Sequence, residues 1–148
     1  MSSYNKAKGT KFETDVMKYL RKLGHFAERL AKAGASDEGD IVCIIAGQTY
    51  ILECKNRKSV NLPQFWDEAQ TEAANYAKAR GLTLPPPAFV IVKRRHAAIE
   101  QAWVIQPLEE WINNASTRRT DNNNGNPEHS TAGEKGREKT KEERRKER

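Results

Sequence analysis

Cysteine and long apolar runs are both scarce in this sequence. Its 148 residues include only two cysteines, Cys43 and Cys54, and both lie inside strand-like apolar runs. We therefore expect a reduced, cytoplasmic protein rather than a disulfide-bonded, secreted one. No apolar run approaches the roughly 18 residues of a membrane span. The N-terminal stretch MSSYNKAKG lacks the apolar core of a signal peptide.

Large side chains of apolar character are missing altogether from the last part of the chain. Residues 116–148 contain no Val, Ile, Leu, Met, Phe, Tyr or Trp. Such a segment cannot bury enough apolar surface to offset the entropy lost on ordering. We predict a folded domain over residues 1–115 and a disordered, charged tail over residues 116–148. The tail is either simply solvated or adds non-specific affinity for phosphate.

Charge, by contrast, is abundant. Charged residues make up 31% of the sequence and hydrophobic residues 36%, and the net charge is +6. The length suits one domain with a single core. The positive balance favours an anionic partner, nucleic acid first.

The apolar pattern predicts eight secondary-structure elements. Helical spacing begins after Gly9-Thr10 in KFETDVMKYLRKLG and returns in PQFWDEAQTEAANYAKAR and PLEEWINNA. The strand-like runs are HFAERL, IVCIIA, TYILECK, AFVIVK and AIEQAWVI. The order α-β-β-β-α-β-β-α predicts an α/β fold with a small mixed central sheet flanked by helices.

The segment GDIVCIIAGQTYILECK places three charged residues on two strands that otherwise resemble core. A loop at Gly47-Gln48 suits a type II′ turn. It would set Asp40 opposite Lys55 and Val42 opposite Glu53. Because paired residues share one face of a sheet, the three charged side chains should converge at the open end of this hairpin.

Two carboxylates and a lysine in a partly apolar setting suit metal-assisted phosphate chemistry. Nearby carboxylates repel each other unless a cation intervenes, and Mg²⁺ prefers oxygen ligands. Such an ion can activate a water and stabilise charge on a phosphate undergoing displacement. Lys55 could orient or deprotonate that water, or stabilise the transition state. The alternative is a plain surface salt bridge from Asp40 to Lys55, with Glu53 solvated.

Glu13 lies on the inward stripe of the first predicted helix, together with Val16 and Leu20. A carboxylate in that position needs a partner. It is either part of the metal site or the second half of a capping box, Thr10-x-x-Glu13, in which it bonds back to the Thr10 amide. The two roles are compatible.

Taken in order, these residues resemble a nuclease superfamily. Glu13 on the first helix, Gly-Asp before a strand and Glu-x-Lys on the next strand resemble the PD-(D/E)XK nucleases, whose fold is restriction-endonuclease-like. The chain looks most like the archaeal-type Holliday junction resolvases and their phage relatives. The resemblance covers about residues 6–105 and rests on KGTKFETDVMKYLRKLG, AERLAKAG, GDIVCI, YILECKNRKS and FVIVKRR.

The resemblance implies a role for each matching residue. Asp40 and Glu53 would be the metal ligands, with the carbonyl of Cys54 as a third. Lys55 would be the catalytic lysine, and Glu13 an outer ligand or a carboxylate that positions water. The implied cofactor is Mg²⁺, for which Mn²⁺ is expected to substitute.

A glutamine often follows on the next helix in this family. Gln70 is the preferred candidate because it neighbours Trp66 and Ala73 on the inward face; an ordinary surface amide is the alternative. The stretch LPQFW also resembles the VRR-type nuclease domains, in which Gln64 would be the matching residue.

Basic residues recur near the strand ends and predict a rim that binds DNA phosphates. They are Arg29, Lys32, Arg57, Lys58, Lys93, Arg94 and Arg95.

The resemblance implies a Mg²⁺-dependent DNA endonuclease that hydrolyses phosphodiester bonds in branched DNA, such as four-way junctions. It would act in recombination or replication, as a homodimer, in the cytoplasm (that of the host if phage-encoded). One alternative is a general nickase or exonuclease of the same fold. The other is a catalytically idle DNA-binding module.

Overall fold

The computed structural model describes residues 3–31 and 36–123. The element order is α-β-β-β-α-β-β-α, as the apolar pattern predicts. The elements are α1 (Ser3–Lys22), β1 (Phe26–Arg29), β2 (Ile41–Ile45), β3 (Gln48–Lys55), α2 (Leu62–Ala79), β4 (Ala88–Val92), β5 (Trp103–Ile105) and α3 (Leu108–Asn123).

The strands form one mixed sheet in the order β1-β2-β3-β4-β5. β2 lies between β1 and β3 and runs antiparallel to both, β3 and β4 are parallel, and β5 runs antiparallel to β4. A parallel pair needs a long crossover connection, and α2 supplies it between β3 and β4. The predicted small mixed sheet is confirmed.

Helices α1 and α2 each pack on their own set of strand residues. Phe12 and Val16 of α1 pack with Ile41, Cys43 and Leu52. A second cluster joins α2 to the residues that alternate with these, because successive side chains of a strand point to opposite faces. Its members are Val42, Ile51, Phe65, Ala69, Ala73, Ala88, Val90 and Val92. Burial on both faces explains why β2, β3 and β4 are almost continuously apolar.

The first helix and the last strand differ from the predictions in their boundaries. Helix α1 begins at Ser3, well before Gly9-Thr10, because adding residues to an existing helix costs little even without an apolar stripe. AIEQAWVI is only partly a strand, since Ile99–Gln101 forms a 3₁₀ turn and β5 has three residues.

Helix α3 continues to Asn123 and so carries helical structure past residue 115. The chain divides by its internal contacts into Met1–Trp111 and Ile112–Arg148. Most of the tail lies outside the described residues, so the domain boundary at 115 and the disorder of the tail stay predictions. No helix within the described residues is long and apolar enough to cross a membrane.

The turn between β2 and β3 corrects the predicted hairpin register. Ile45 pairs with Gln48, so the loop is Ala46-Gly47 rather than Gly47-Gln48. Both loop residues have positive φ, 50° and 78°, as a type I′ turn requires. The register shifts by two residues, which leaves every side chain on the face that was predicted for it.

Ala46 is the strained residue of this turn, because a Cβ is disfavoured in the left-handed region. We expect Ala46→Asn to raise the free energy of unfolding by about 1 kcal/mol, since asparagine tolerates that conformation. Urea denaturation should show a higher midpoint with an unchanged slope. Gly47→Ala is the matched control and should lower the midpoint; equal midpoints for all three proteins would contradict the turn assignment.

Candidate active site

One end of the sheet brings the predicted site residues together. β1 ends there at Arg29, which pairs with Ile41 at the start of β2. β3 ends there at Lys55, opposite Val92 of β4, and the Lys93 amide donates to the Lys55 carbonyl at 3.0 Å. The strand ends that carry charge therefore converge on one edge.

Asp40 is held in place by the strands on either side of it. Its carboxylate Oδ2 accepts a hydrogen bond of 2.8 Å from the Cys54 amide. Its own amide donates to the Leu52 carbonyl, and its carbonyl accepts from the Leu30 amide. Asp40 is only 4% exposed, so a charged group is fixed beside Glu53 with little access to water.

Gly39 permits this approach of the Asp40 loop to the sheet. Its φ is +100°, and a Cβ built on it would lie 2.6 Å from Cγ2 of Ile51, which is fully buried. We expect Gly39→Ala to lower the free energy of unfolding by about 2 kcal/mol or more and to displace Asp40. Chemical denaturation measures the first effect. Gly24→Ala serves as control for backbone strain alone, because no atom lies within 4 Å of its Cβ position.

Lys55 lies between two carboxylates. Its Nζ is 2.6 Å from Glu53 Oε1 and 2.6 Å from Glu68 Oε2, and it stands 5.0 Å from the centre of the Phe65 ring. The side chains of Lys55 and Glu53 are 7% and 9% exposed. The alternative of an exposed Asp40–Lys55 salt bridge is therefore wrong in both its partner and its exposure.

The buried charges change one another's affinity for protons. Burial, helped by the charge of Asp40, raises the pKa of Glu53 despite its hydrogen bonds with Glu72 and Lys55. Burial, its hydrogen bond with Glu53 and the neighbouring negative charges raise the pKa of Glu72 to about 9. Burial works to lower the pKa of Lys55, but its bonds to Glu53 and Glu68 outweigh that and raise it. The site is thus rich in carboxylates that a cation would stabilise.

Sequence reasoning missed Glu68 and Glu72 of α2. They follow Gln64 at intervals of four residues, so all three lie along one side of the helix, next to the apolar stripe that includes Phe65 and Ala69. Gln64 donates to Glu68 Oε1 at 2.8 Å, and its backbone amide is capped by Asn61. The four-residue spacing of Gln64, Glu68 and Glu72 was the sequence signal that could have identified the two glutamates as site residues.

Glu13 is paired with Arg29. It is 5% exposed, and its Oε2 accepts from Arg29 Nη2 at 2.6 Å and Nε at 3.1 Å. Thr10 lies inside α1 rather than at its start, so the capping box is wrong. Arg29, which was predicted to bind phosphate, instead holds the carboxylate of Glu13 at the end of β1.

The two candidate glutamines occupy different places. Gln64 belongs to the hydrogen-bonded chain that reaches Lys55 through Glu68. Gln70 is exposed and donates to the carbonyl of Ala88, which starts β4 at the other end of the sheet. The structure does not bring Gln70 to the other predicted site residues.

The remaining basic residues of the predicted rim, within the described chain, follow β3 and β4, the strands that end at the site. Lys93 lies 6.0 Å from the Phe12 ring. Burial alone would raise the pKa of Glu68, but its hydrogen bonds with Lys55 and Gln64, together with the charges of Lys55 and Arg57, lower it. Arg94 stacks 5.3 Å from the Trp103 ring. Lys58 and Arg95 are exposed, and Lys32 lies outside the described residues.

The carboxylates at this end of the sheet are the groups that could bind a divalent cation. In the described part of the chain, no three His, Cys, Asp or Glu side chains form a ready-made metal cluster. Asp40 and Glu53 nevertheless supply two buried carboxylates, and Glu72 Oε2 and Asp37 Oδ1 are buried without a hydrogen-bond partner. Mg²⁺ commonly binds through one or two carboxylates and keeps several waters. The residues present fit such an ion.

Comparison of the sequence with known families identifies the family of this chain. The sequence matches the model of the archaeal Holliday junction resolvases (Hjc) over residues 4–82, more than half of the chain. A similar solved structure is the 1.6 Å resolution structure of Archaeoglobus fulgidus Hjc, a Holliday junction resolvase from an archaeal hyperthermophile. It has 28% identity and a TM-score of 0.41, over 62% of this chain and 68% of that chain. No curated protein gives a significant match. The chain therefore belongs to the archaeal Holliday junction resolvase family of junction-resolving nucleases, within the PD-(D/E)XK superfamily.

Proposed function

We propose that this protein is a Mg²⁺-dependent endonuclease that cuts branched DNA during recombination or replication. The observation that carries the proposal is the burial of Asp40, Glu53 and Lys55 at one sheet end. Taking charges out of water costs free energy even when they are paired, and buried charge of this kind clusters at functional sites. A catalytically idle DNA-binding module would gain nothing from this arrangement, whereas a nuclease needs it.

The ligands of the cation would be Asp40 and Glu53, with the Cys54 carbonyl as a third. When bound, Mg²⁺ supplies positive charge near the scissile phosphate and makes a coordinated water more acidic. Mn²⁺ is expected to substitute. Glu13, oriented by Arg29, would position water at the rim of the site.

Lys55 would act on the reacting groups themselves. Its raised pKa keeps it protonated at neutral pH, so it serves as a cation rather than as a base. It would orient the attacking water or stabilise the additional negative charge on the phosphate in the transition state.

DNA would be held through its phosphates by the basic residues beside the site. Arg57 and Lys58 follow β3, and Lys93, Arg94 and Arg95 follow β4. Lys32 is proposed for the same role from its place in the sequence. Two symmetric cuts in a four-way junction require two sites, so the active species would be a homodimer. The protein would work in the cytoplasm, the host's if a phage encodes it, as its two unpaired cysteines suggest.

A cleavage panel tests the proposal. A synthetic four-way junction, a flap, a linear duplex and a single strand are incubated with the protein in Mg²⁺, in Mn²⁺ and in EDTA, with Asp40→Asn as control for contaminating nuclease. We expect the junction to be cut fastest in either metal and left intact in EDTA. Equal rates on duplex and junction would favour a general nickase or exonuclease. No cutting of any substrate would contradict the nuclease assignment.

A further inference from the structure

Lys55 and the proposed cation compete for the same carboxylate. Lys55 Nζ lies 2.6 Å from Glu53 Oε1, and Glu53 is also one of the proposed ligands. An ammonium and a divalent cation crowded onto one carboxylate repel each other. Binding of a cation therefore requires Lys55 to give up some or all of its bond to Glu53.

The structure offers Lys55 a second anion at the same distance. Glu68 Oε2 lies 2.6 Å from Nζ, while its other oxygen accepts from Gln64. Gln64 in turn is tied to Asn61, the N-cap of α2, through both backbone and side chain. The Glu68 carboxylate is thereby oriented toward Lys55, although 38% of its side chain is exposed. The Phe65 ring lines the same position.

From these contacts we propose that Glu68 is a positioning residue that holds Lys55 in the site when a cation occupies Glu53. This inference rests on the proposed function, since it takes Asp40 and Glu53 as the cation ligands. Glu68 retains the ammonium beside the reacting groups and so lowers the cost of separating Lys55 from Glu53. Without Glu68, Lys55 would hold Glu53 as its remaining carboxylate partner and would oppose the incoming cation more strongly.

The proposal makes a specific claim about metal affinity in the absence of DNA. Mn²⁺ is titrated into the full-length protein by calorimetry. The proteins compared are wild type, Glu68→Gln, Lys55→Met and the double variant, at one pH and ionic strength. We expect Glu68→Gln to weaken Mn²⁺ binding about ten-fold, as loss of a supporting residue commonly does. In the Lys55→Met background the same change should weaken binding by about two-fold or less, because no lysine is left to compete.

Two controls separate this effect from the loss of one negative charge. Asp67→Asn removes a carboxylate from the exposed position beside Glu68 on α2 and should change the affinity by less than about two-fold. If Lys55→Met does not fold, Lys55→Gln replaces it in the cycle, because its neutral amide can still donate a hydrogen bond.

The outcomes are distinct. The role of Glu68 is supported if Glu68→Gln weakens Mn²⁺ binding ten-fold when Lys55 is present and two-fold or less when Lys55 is replaced by Met. The role of Glu68 is overturned, and the cation site left intact, if Glu68→Gln weakens Mn²⁺ binding equally with Lys55 and with Met at position 55. It is also overturned if Glu68→Gln has no effect on Mn²⁺ binding in either protein. A wild-type protein that binds no Mn²⁺ overturns the cation site, and this inference with it.

Discussion

Asp40→Asn and Glu53→Gln should each reduce cleavage of a four-way junction about a thousand-fold or more, while the protein stays folded. Each variant keeps the shape of the side chain and removes the negative charge that would hold the cation. A thousand-fold loss corresponds to about 4 kcal/mol of transition-state stabilisation. Asparagine can still accept the hydrogen bond from the Cys54 amide that Asp40 accepts, so the loop should keep its position.

The measurement is the single-turnover cleavage rate at saturating Mg²⁺, accompanied by circular dichroism and a junction-binding assay. Glu100→Gln, an exposed change of the same kind in the 3₁₀ turn, controls for loss of charge and should cut like wild type. Binding of DNA should be unchanged or slightly tighter in both site variants, because they remove negative charge. Turnover within a few-fold of wild type would remove the residue concerned from the cation site.

Lys55→Met should impair both chemistry and folding. We expect the cleavage rate to fall about a hundred-fold or more, because the charge that stabilises the transition state is lost. The free energy of unfolding should fall by about 3 kcal/mol, since Glu53 loses its cation while remaining buried. Mn²⁺ binding should survive, which distinguishes Lys55 from the ligands.

Cleavage rates and urea denaturation test this prediction on one set of samples. Lys78→Met removes an exposed lysine from the last turn of α2 and should leave both quantities near their wild-type values. Combining Lys55→Met with Glu68→Gln should recover part of the lost stability, because a carboxylate that has lost its cation is gone. Retained turnover in Lys55→Met would reduce the lysine to a structural ion-pair residue.

The sequence alone was sufficient to predict the fold class and the place of the charged residues on it. Apolar residues with a period of two marked β2, β3 and β4, and the helical period marked α1 and α2. Asp40, Glu53 and Lys55 lie on or beside the same short hairpin, so strand alternation alone put them on one face. The turn was predicted at the wrong residues, but this did not change the predicted faces, because a shift of two residues in strand register leaves each side chain on the same face of the sheet.

Local patterns were less reliable where the chain could continue a regular element at little cost. Helix α1 starts at Ser3, which turned the apparent cap at Thr10 into an ordinary helical residue. The Ala46-Gly47 turn was missed because alanine rarely adopts positive φ. Here the pairing of β2 with β3 offsets the backbone strain at Ala46.

The partners of the buried charges were decided by tertiary structure. Glu13 bonds to Arg29 sixteen residues away, and Lys55 bonds to Glu68 thirteen residues away. The sequence determined that these carboxylates and this lysine would be carried into the interior on apolar strands and helices. Which charge meets which depends on how α1 and α2 pack against the sheet, and ion pairs formed across that packing leave no periodic signal in the chain.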